Sequence, residues 1–333
     1  GQIVIPQNTD VTEFTPIQRP ADDVNSEVIT THFDYHALSG TLLKLDLLGH
    51  DDPTALKMLQ DLTGVDPRSI AFDDPKLYQL FTSTSPLGIE GGRGEFANGA
   101  IGIPEFGTKF VRQMLDETRP TTFIELVRIS GLSHGIDVWR NNAQELIKRG
   151  EANLTQVICT RDDIMLYLIM QGLDSSEAFA ISERVRKGRG LTQENINEMR
   201  KHTVPAWYIE SCQKIKYMFP KAHAVAYVQM SIRIAYYKIY YPIEYYATYL
   251  TLRGGDFDIT EVLGNHNLND RVRELNRLGN DASKKEKDLL NALEVIVEMN
   301  SRGISFAPVE LYESTAKQYV IAPDRKSIIP PFS

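Results

Sequence analysis

The chain has 333 residues, 42% of them hydrophobic, and a formal net charge of −8. That apolar content supports a packed core and excludes a globally disordered chain. No stretch reaches the ~18–20 apolar residues of a membrane span, and the acidic balance argues against a uniformly basic nucleic-acid binder.

The opening "GQIVIPQNTD" starts on Gly1 in what reads as mid-strand, with no basic region leading into an apolar one. It shows no signal peptide and reads as the start of a fragment or processed piece. Residues 1–55 read as strands and loops, with "GQIVIP", "EVITTHFDYH" and "TLLKLDLLGH" as the strand segments. After Pro53 the pattern turns helical. "DPTALKMLQDLTG" offers Asp52 as N-cap, Pro53 at the first helical position and Gly64 as the stop, and "DDPKLYQLFT" repeats the plan. The Gly-rich "GIEGGRGEFANGAIG" reads as a mobile loop. Helices then follow in "GTKFVRQMLDET", in "TFIELVRISG" ending at Gly131, and in "TRDDIMLYLIMQG" with Thr160 as cap and Asp163 at the third helical position. "SSEAFAISERVRKG", "TQENINEMRKH" and "PAWYIESCQKIKYMF" continue the series, and a long helix spans about Ala222 to Tyr241. Ser283 and Glu286 form a capping box for the last long helix, and "SIIPPFS" is extended. Cys159 and Cys212 form neither a disulfide framework nor a zinc spacing, which fits a reducing, cytoplasmic setting.

Charge is unevenly distributed. From Arg184 to Lys238 there are eleven Lys or Arg and three Glu, an excess of +8 that leaves −16 for the remainder. Such asymmetry suits a local site for a polyanion, or else several solvated helix faces.

Three groups of residues carry possible chemistry. In "TLLKLDLLGH", strand alternation puts Leu43, Leu45 and Leu47 on one face, a core surface, and Lys44 and Asp46 on the other. The plain reading of Lys44 and Asp46 is an ion pair at a sheet surface. In "HFDYH", His32, Asp34 and His36 alternate onto one strand face, and His50, Asp51 and Asp52 could complete a metal-hydrolase site, although the two aspartates also read as a helix start. In "QKIKYMFPKAHAVAYVQMSIRIAYYKIYYP", cations flank a proline junction among Tyr217, Phe219 and His223. Cations with flat rings suit phosphate neutralisation and base stacking. Ala222, Ala224 and Ala226 keep the helix start slim, and beyond them the helix is apolar nearly all round, as a buried helix is.

The blocks "HFDYHALSGTLLKLDLLGHDDPT", "GIPEFGTKFVRQML", "ELVRISGLSHGIDVW", "RDDIMLYLI", "VPAWYIESCQKIKYMFPKAHAVAYV" and "DASKKEKDLL" resemble consecutive blocks of the PolC-type α subunit of bacterial DNA polymerase III, the family C replicative polymerases. The resemblance runs over the whole chain but a minor part of the family's length. It implies a mainly α fold with a small β part (α+β): residues 1–55 as the C-terminal part of a nucleotidyltransferase-like palm, 56–255 as helical fingers, and 256–333 as their C-terminal helical part, leading toward a DNA- and clamp-binding region. The family's palm holds Mg²⁺ on three aspartates, two in an Asp-x-Asp motif upstream of these residues and one in a Lys-x-Asp strand. Asp46 matches that third aspartate as catalytic and metal residue, and the resemblance makes Lys44 a second catalytic residue that orients it or stabilises phosphate charge. The resemblance further places Ser130 and Phe219 near an incoming base and Tyr217 near sugar or base. It places Arg128, His134, Lys214 and Lys221 near phosphates, with His223 in the same block. It implies dNMP addition to a primer 3′-hydroxyl by two-metal phosphoryl transfer, with primer-template DNA, dNTP, a sliding clamp and other replisome subunits as partners. "IEGGRGEFANG" departs from the family pattern. With the other two palm aspartates outside this chain, a non-catalytic helical nucleic-acid-binding module is the alternative.

Overall fold

Helix starts follow the capping residues that precede each apolar run. The computed structural model describes residues 1–91, 97–253, 255, 257–263 and 267–332. It divides into two units, Gly1–Asp51 and Asp52–Ser333.

In the first unit, β1 (Gln2–Val4) pairs antiparallel with β4 (Leu43–Leu45), with Ile3 opposite Lys44, and β2 (Ile17–Gln18) pairs antiparallel with β3 (Thr30–Thr31). The expected strand through "HFDYH" does not form. Asp34 accepts from the His36 amide at 2.7 Å and caps the short helix α1 (Tyr35–Leu38), because an Asp side chain mimics a turn and competes with a strand ladder. His32, Asp34 and His36 therefore do not share a strand face, and no group of three or more His, Cys, Asp or Glu able to hold a metal exists among the described residues. The leucine face is also corrected. Leu43, Leu45 and Leu47 are 61%, 44% and 66% exposed. β1 and β4 form a two-stranded ladder whose leucine face stays exposed, whereas Lys44 lies on the other face with its ammonium 4.7 Å from the Tyr35 ring centroid.

The second unit is helical. α2 (Asp51–Thr63) begins one residue before the expected cap, so Asp52 lies in its first turn and is buried. α3 (Pro75–Gln79) has Asp74 as cap and Pro75 at its first position. α4 (Lys109–Thr118) stops where Arg119 turns left-handed. α5 (Phe123–His134) runs through Gly131, where a stop was expected. A π turn at Trp139–Ala143 leads into α6 (Gln144–Lys148). α7 (Arg161–Met170) carries the Thr160–Asp163 capping box, and α8 (Ser175–Arg186) and α9 (Gln193–Lys201) follow. α10 (Ala206–Lys214) ends before "IKYMF", which is extended rather than helical because Ile136 and Tyr217 form a β-bridge. α11 (Lys221–Tyr240) matches the expected long helix. α12 (Pro242–Arg253), α13 (Thr260–Leu263), α14 (Leu268–Leu278) and α15 (Lys284–Ser301) complete the helices, α15 with the expected Ser283–Glu286 box. A small sheet closes the chain, with β5 (Ser305–Phe306) parallel and β6 (Val320–Ile321) antiparallel to β7 (Ser327–Ile329). The fold is mainly α with small sheets. Part of the Gly-rich stretch, residues 92–96, lies outside the described residues.

α11 forms the axis of this unit. Val228, Ile232, Ala235 and Tyr237 are fully buried, and α3, α5, α7 and α12 pack around it. Each such aliphatic side chain contributes about 1.5–3 kcal/mol of burial. Two buried acids of α15 tie it to this core: Glu294 meets Arg112 of α4 at 2.7 Å, and Glu298 meets Lys238 of α11 at 2.7 Å. No helix among the described residues is long and apolar enough to cross a membrane.

Candidate nucleotide and nucleic-acid interface

Three helices and one extended segment bring most of the singled-out residues together. α5 supplies Arg128, Ser130 and His134. Its glycines allow close approach. A β-carbon at Gly131 would lie 2.7 Å from the Cys159 carbonyl oxygen, and one at Gly135 would lie 2.8 Å from the Tyr217 carbonyl oxygen. Either contact is too short for a real carbon, so these glycines let α5 touch the 157–160 and 215–219 segments directly. The Ile136 amide donates to the Tyr217 carbonyl at 3.0 Å, and the Lys216 amide donates to the Ile136 carbonyl at 3.0 Å. The Arg161 amide donates to the Phe219 carbonyl at 3.3 Å, and the Lys221 amide to the Asp162 carboxylate at 2.7 Å. The proline junction between α10 and α11 is thereby pinned to the first turn of α7.

These bonds hold a ladder of rings. Tyr217 stands edge-on to Phe219 (centroids 5.3 Å), Phe219 leans on His223 (4.8 Å) and His223 on Tyr227 (4.4 Å). His134 meets Phe219 edge-on at 5.3 Å. His223 and Tyr227 are one turn apart on α11, a spacing that brings such side chains into contact, while Phe219 reaches them from the extended segment just before the helix. Both nitrogens of His134 face acceptors: Nδ1 lies 2.7 Å from the Ser130 carbonyl oxygen and Nε2 lies 2.8 Å from the Glu105 carboxylate. The Glu105 bond raises the His134 pKa above the ordinary value against the opposing effect of burial. His223 is shifted the other way, first by burial and then by the neighbouring His134.

Beside the rings runs a chain of ion pairs. Lys221 Nζ is 3.4 Å from Asp163, and Arg128 is 4.0 Å from the same carboxylate. Arg161 reaches Asp162 at 3.6 Å and Glu183 at 3.2 Å, and Glu183 also holds Arg186 at 2.9 Å and Lys187 at 3.1 Å. Hydrogen bonding by Arg186, followed by Lys187, brings the Glu183 carboxyl down to about 2 despite partial burial. Five cations here face three carboxylates, so the cluster retains positive charge.

Two of the singled-out residues stand differently. Ser130 is 1% exposed, on the core side of α5, so its hydroxyl is out of a ligand's reach in this conformation. Lys214 donates to the Asn141 carbonyl at 3.1 Å and lines a polar cavity of about 320 Å³ with Glu145, Arg149, Trp207 and Glu210. Its described contacts do not include the rings. Sequence reasoning missed Glu105, Arg161 and Glu183 as parts of the cluster. The adjacent acids of "TRDDIM", more than one cap requires, were the available signal for this locus.

In the first unit, Asp46 is exposed (63% for its side chain) and lies 3.3 Å from Lys44 Nζ. One open carboxylate suits a hard divalent cation as a single ligand, but the described residues supply no cluster of acids around it.

Residues 52–206 match the family model described as the bacterial DNA polymerase III alpha subunit finger domain. The whole chain is 58% identical to the PolC-type DNA polymerase III of Caldanaerobacter subterraneus subsp. tengcongensis and 55% identical to those of Oceanobacillus iheyensis and Bacillus subtilis. It covers 24%, 23% and 23% of those proteins respectively, so it spans about a quarter of the curated relatives it matches. Matches of this strength along every residue, with a finger-domain match over the helical region, place the chain in the PolC-type family of bacterial DNA polymerase III.

Proposed function

We propose that this chain is the finger region, with an adjoining palm strand, of a replicative DNA-directed DNA polymerase, and that the cluster on α5, α7 and α11 receives the triphosphate of an incoming dNTP and nearby DNA phosphates. The observation that carries this reading is the convergence of Lys221, Arg128 and Arg161 with the Tyr217–Phe219–His223–Tyr227 ladder. Cations neutralise phosphate and displace its counterions. Flat faces accept a base or sugar without regard to its identity. Rigid helices hold both at fixed spacing, which is how positioning lowers a phosphoryl-transfer barrier.

Asp46 serves on this reading as one carboxylate ligand of the divalent ions, Mg²⁺ by the resemblance, that activate the primer hydroxyl and neutralise the triphosphate. Its ligand partners, like the contacts to a sliding clamp and other replisome subunits, belong to other parts of the polymerase, and the setting is the bacterial cytoplasm. Lys44 holds the Asp46 carboxylate by charge at 3.3 Å.

The experiment is steady-state incorporation by the full-length polymerase carrying Lys221→Ala or Arg128→Ala. Loss of one charge-assisted bond to phosphate raises the dNTP KM by about 10-fold and, where the cation also meets DNA, reduces the salt slope of DNA binding by about one unit. Unchanged KM and unchanged salt dependence in both variants would leave the cluster as structural only. The alternative, a nucleic-acid-binding module without catalysis, is favoured by the single carboxylate at Asp46. It predicts that these variants lower DNA affinity and leave dNTP KM untouched.

A further inference from the structure

Asp163 has more partners than its position requires. As the third residue of α7 it belongs to a capping box, in which an acid accepts the amide of the cap residue. Its Oδ2 does so from Thr160 at 2.9 Å, with the Cys159 amide at 3.3 Å. The same side chain also faces Lys221 of α11, Oδ1 to Nζ at 3.4 Å, and Arg128 of α5, Oδ2 to Nη1 at 4.0 Å. It is 12% exposed, whereas Lys221 and Arg128 are 31% and 17% exposed. One carboxylate thus bonds one cation and lies within ion-pair range of a second, on two other helices, and is itself fixed by two backbone amides.

We infer that Asp163 is a positioning residue that aims Lys221 and Arg128 at a phosphate-bearing ligand. The inference rests on the reading of this cluster as the triphosphate and DNA contact. A lysine stem is flexible, so a free ammonium would have to be ordered when the ligand binds. Anchored by a carboxylate that cannot move, it is ordered beforehand. An ammonium or guanidinium bonded to one carboxylate still has donors to spare for phosphate oxygens. The same Nη1 of Arg128 that faces Asp163 donates to the Val157 carbonyl oxygen at 3.2 Å, which anchors that end of the guanidinium and leaves its other nitrogens with donors to spare. The neighbouring Cys159 thiol, pushed up to about 12 by burial, stays neutral and adds no competing anion.

Asp163→Asn and Asp163→Glu in the full-length polymerase separate aiming from capping. The amide oxygen of Asn can still accept the Thr160 and Cys159 amides, but it carries no charge. Glu keeps the charge and is a regular capping-box acid. The expected result is a dNTP KM about 10-fold higher for Asp163→Asn with kcat within about 3-fold, and a KM near the starting value for Asp163→Glu, as for loss of one charge-assisted interaction. An unchanged KM in Asp163→Asn overturns the inference. So does a fall in kcat and in thermal midpoint with KM unmoved, which is the signature of a cap alone. Should Asp163→Asn not fold, a KM for Asp163→Glu as high as that of Lys221→Ala overturns it, and a KM near the starting value supports it. If Lys221→Ala and Arg128→Ala themselves leave both KM and DNA binding unchanged, the reading of the cluster fails. If they raise KM while Asp163→Asn does not, only the role of Asp163 fails.

Discussion

Glu298→Ala tests what holds the last long helix to the core. Lys238 is fully buried, and its ammonium donates to Glu298 Oε2 at 2.9 Å (Oε1 lies 2.7 Å away), to the Gly99 carbonyl at 2.8 Å and to the Ile101 carbonyl at 2.5 Å. Glu298 also accepts from the Tyr246 hydroxyl at 2.7 Å. Burial lowers the Lys238 pKa to about 8 even with Glu298 opposing the shift. Removing Glu298 leaves a buried ammonium without a counter-charge and a buried hydroxyl without its acceptor. Breaking one side of such a pair costs about 3–5 kcal/mol, which is the penalty of the orphaned charge rather than the net worth of the pair. At about 2 cal/mol/K of unfolding entropy per residue over roughly 280 residues, that loss lowers the thermal midpoint by about 5–9 °C. The exposed Lys57–Asp61 pair is the control: Asp61→Ala should move the midpoint by about 1–2 °C at most, because surface pairs contribute about 0–1 kcal/mol. Circular dichroism melts at neutral pH make the comparison. The sign with pH is fixed as well. Lys238 has a depressed folded pKa, so above about 8 it is neutral in the folded protein, and Glu298 no longer serves as a counter-charge. The deficit of Glu298→Ala should therefore narrow as pH rises through that value. A midpoint shift no larger than the surface control, or a deficit that widens with pH, would refute the reasoning.

Two further outcomes follow from the site. Gly131→Ala puts a β-carbon 2.7 Å from the Cys159 carbonyl oxygen and 2.8 Å from the Thr160 methyl, both beside the α7 cap. The backbone must shift to admit it, so we expect a loss of about 1–3 kcal/mol, typical of overpacking, in urea unfolding; a change below about 0.5 kcal/mol would show that α5 can move away freely. Glu105→Gln removes the main cause of the raised His134 pKa. A histidine raised in the folded state contributes stability that is complete below its unfolded value of about 6.5 and is lost as pH rises through the raised folded value. The advantage of the parent protein over Glu105→Gln should be largest near pH 6 (about half a unit below that value) and decline above it. A difference independent of pH across that range would remove the imidazolium from the account.

Much of the helical framework was legible because its signals are local. Thr160 with Asp163, Ser283 with Glu286, and Asp74 before Pro75 each cap a helix as read. The even apolarity of α11 announced its burial. Misreadings arose where a distant partner decides the local outcome. Gly131 looked like a helix stop and is instead a contact point for Cys159 and Thr160. "IKYMF" looked like the continuation of α10 and is an extended strap bonded to Ile136. Glu294 and Glu298, which carry no local signal of burial, are buried against Arg112 and Lys238.

The sequence alone determined where many helices begin, that the long helix is buried, and that basic and aromatic residues gather around Pro220, since caps, periodicity and composition act over a few residues. Only the tertiary structure decided which cations share a carboxylate, that Ser130 is buried, that Lys214 is bonded to Asn141, and that the leucines of β4 face outward. Each of these depends on what the fold brings within a few ångströms across a long separation in the chain, and side-chain chemistry cannot act until that approach is made.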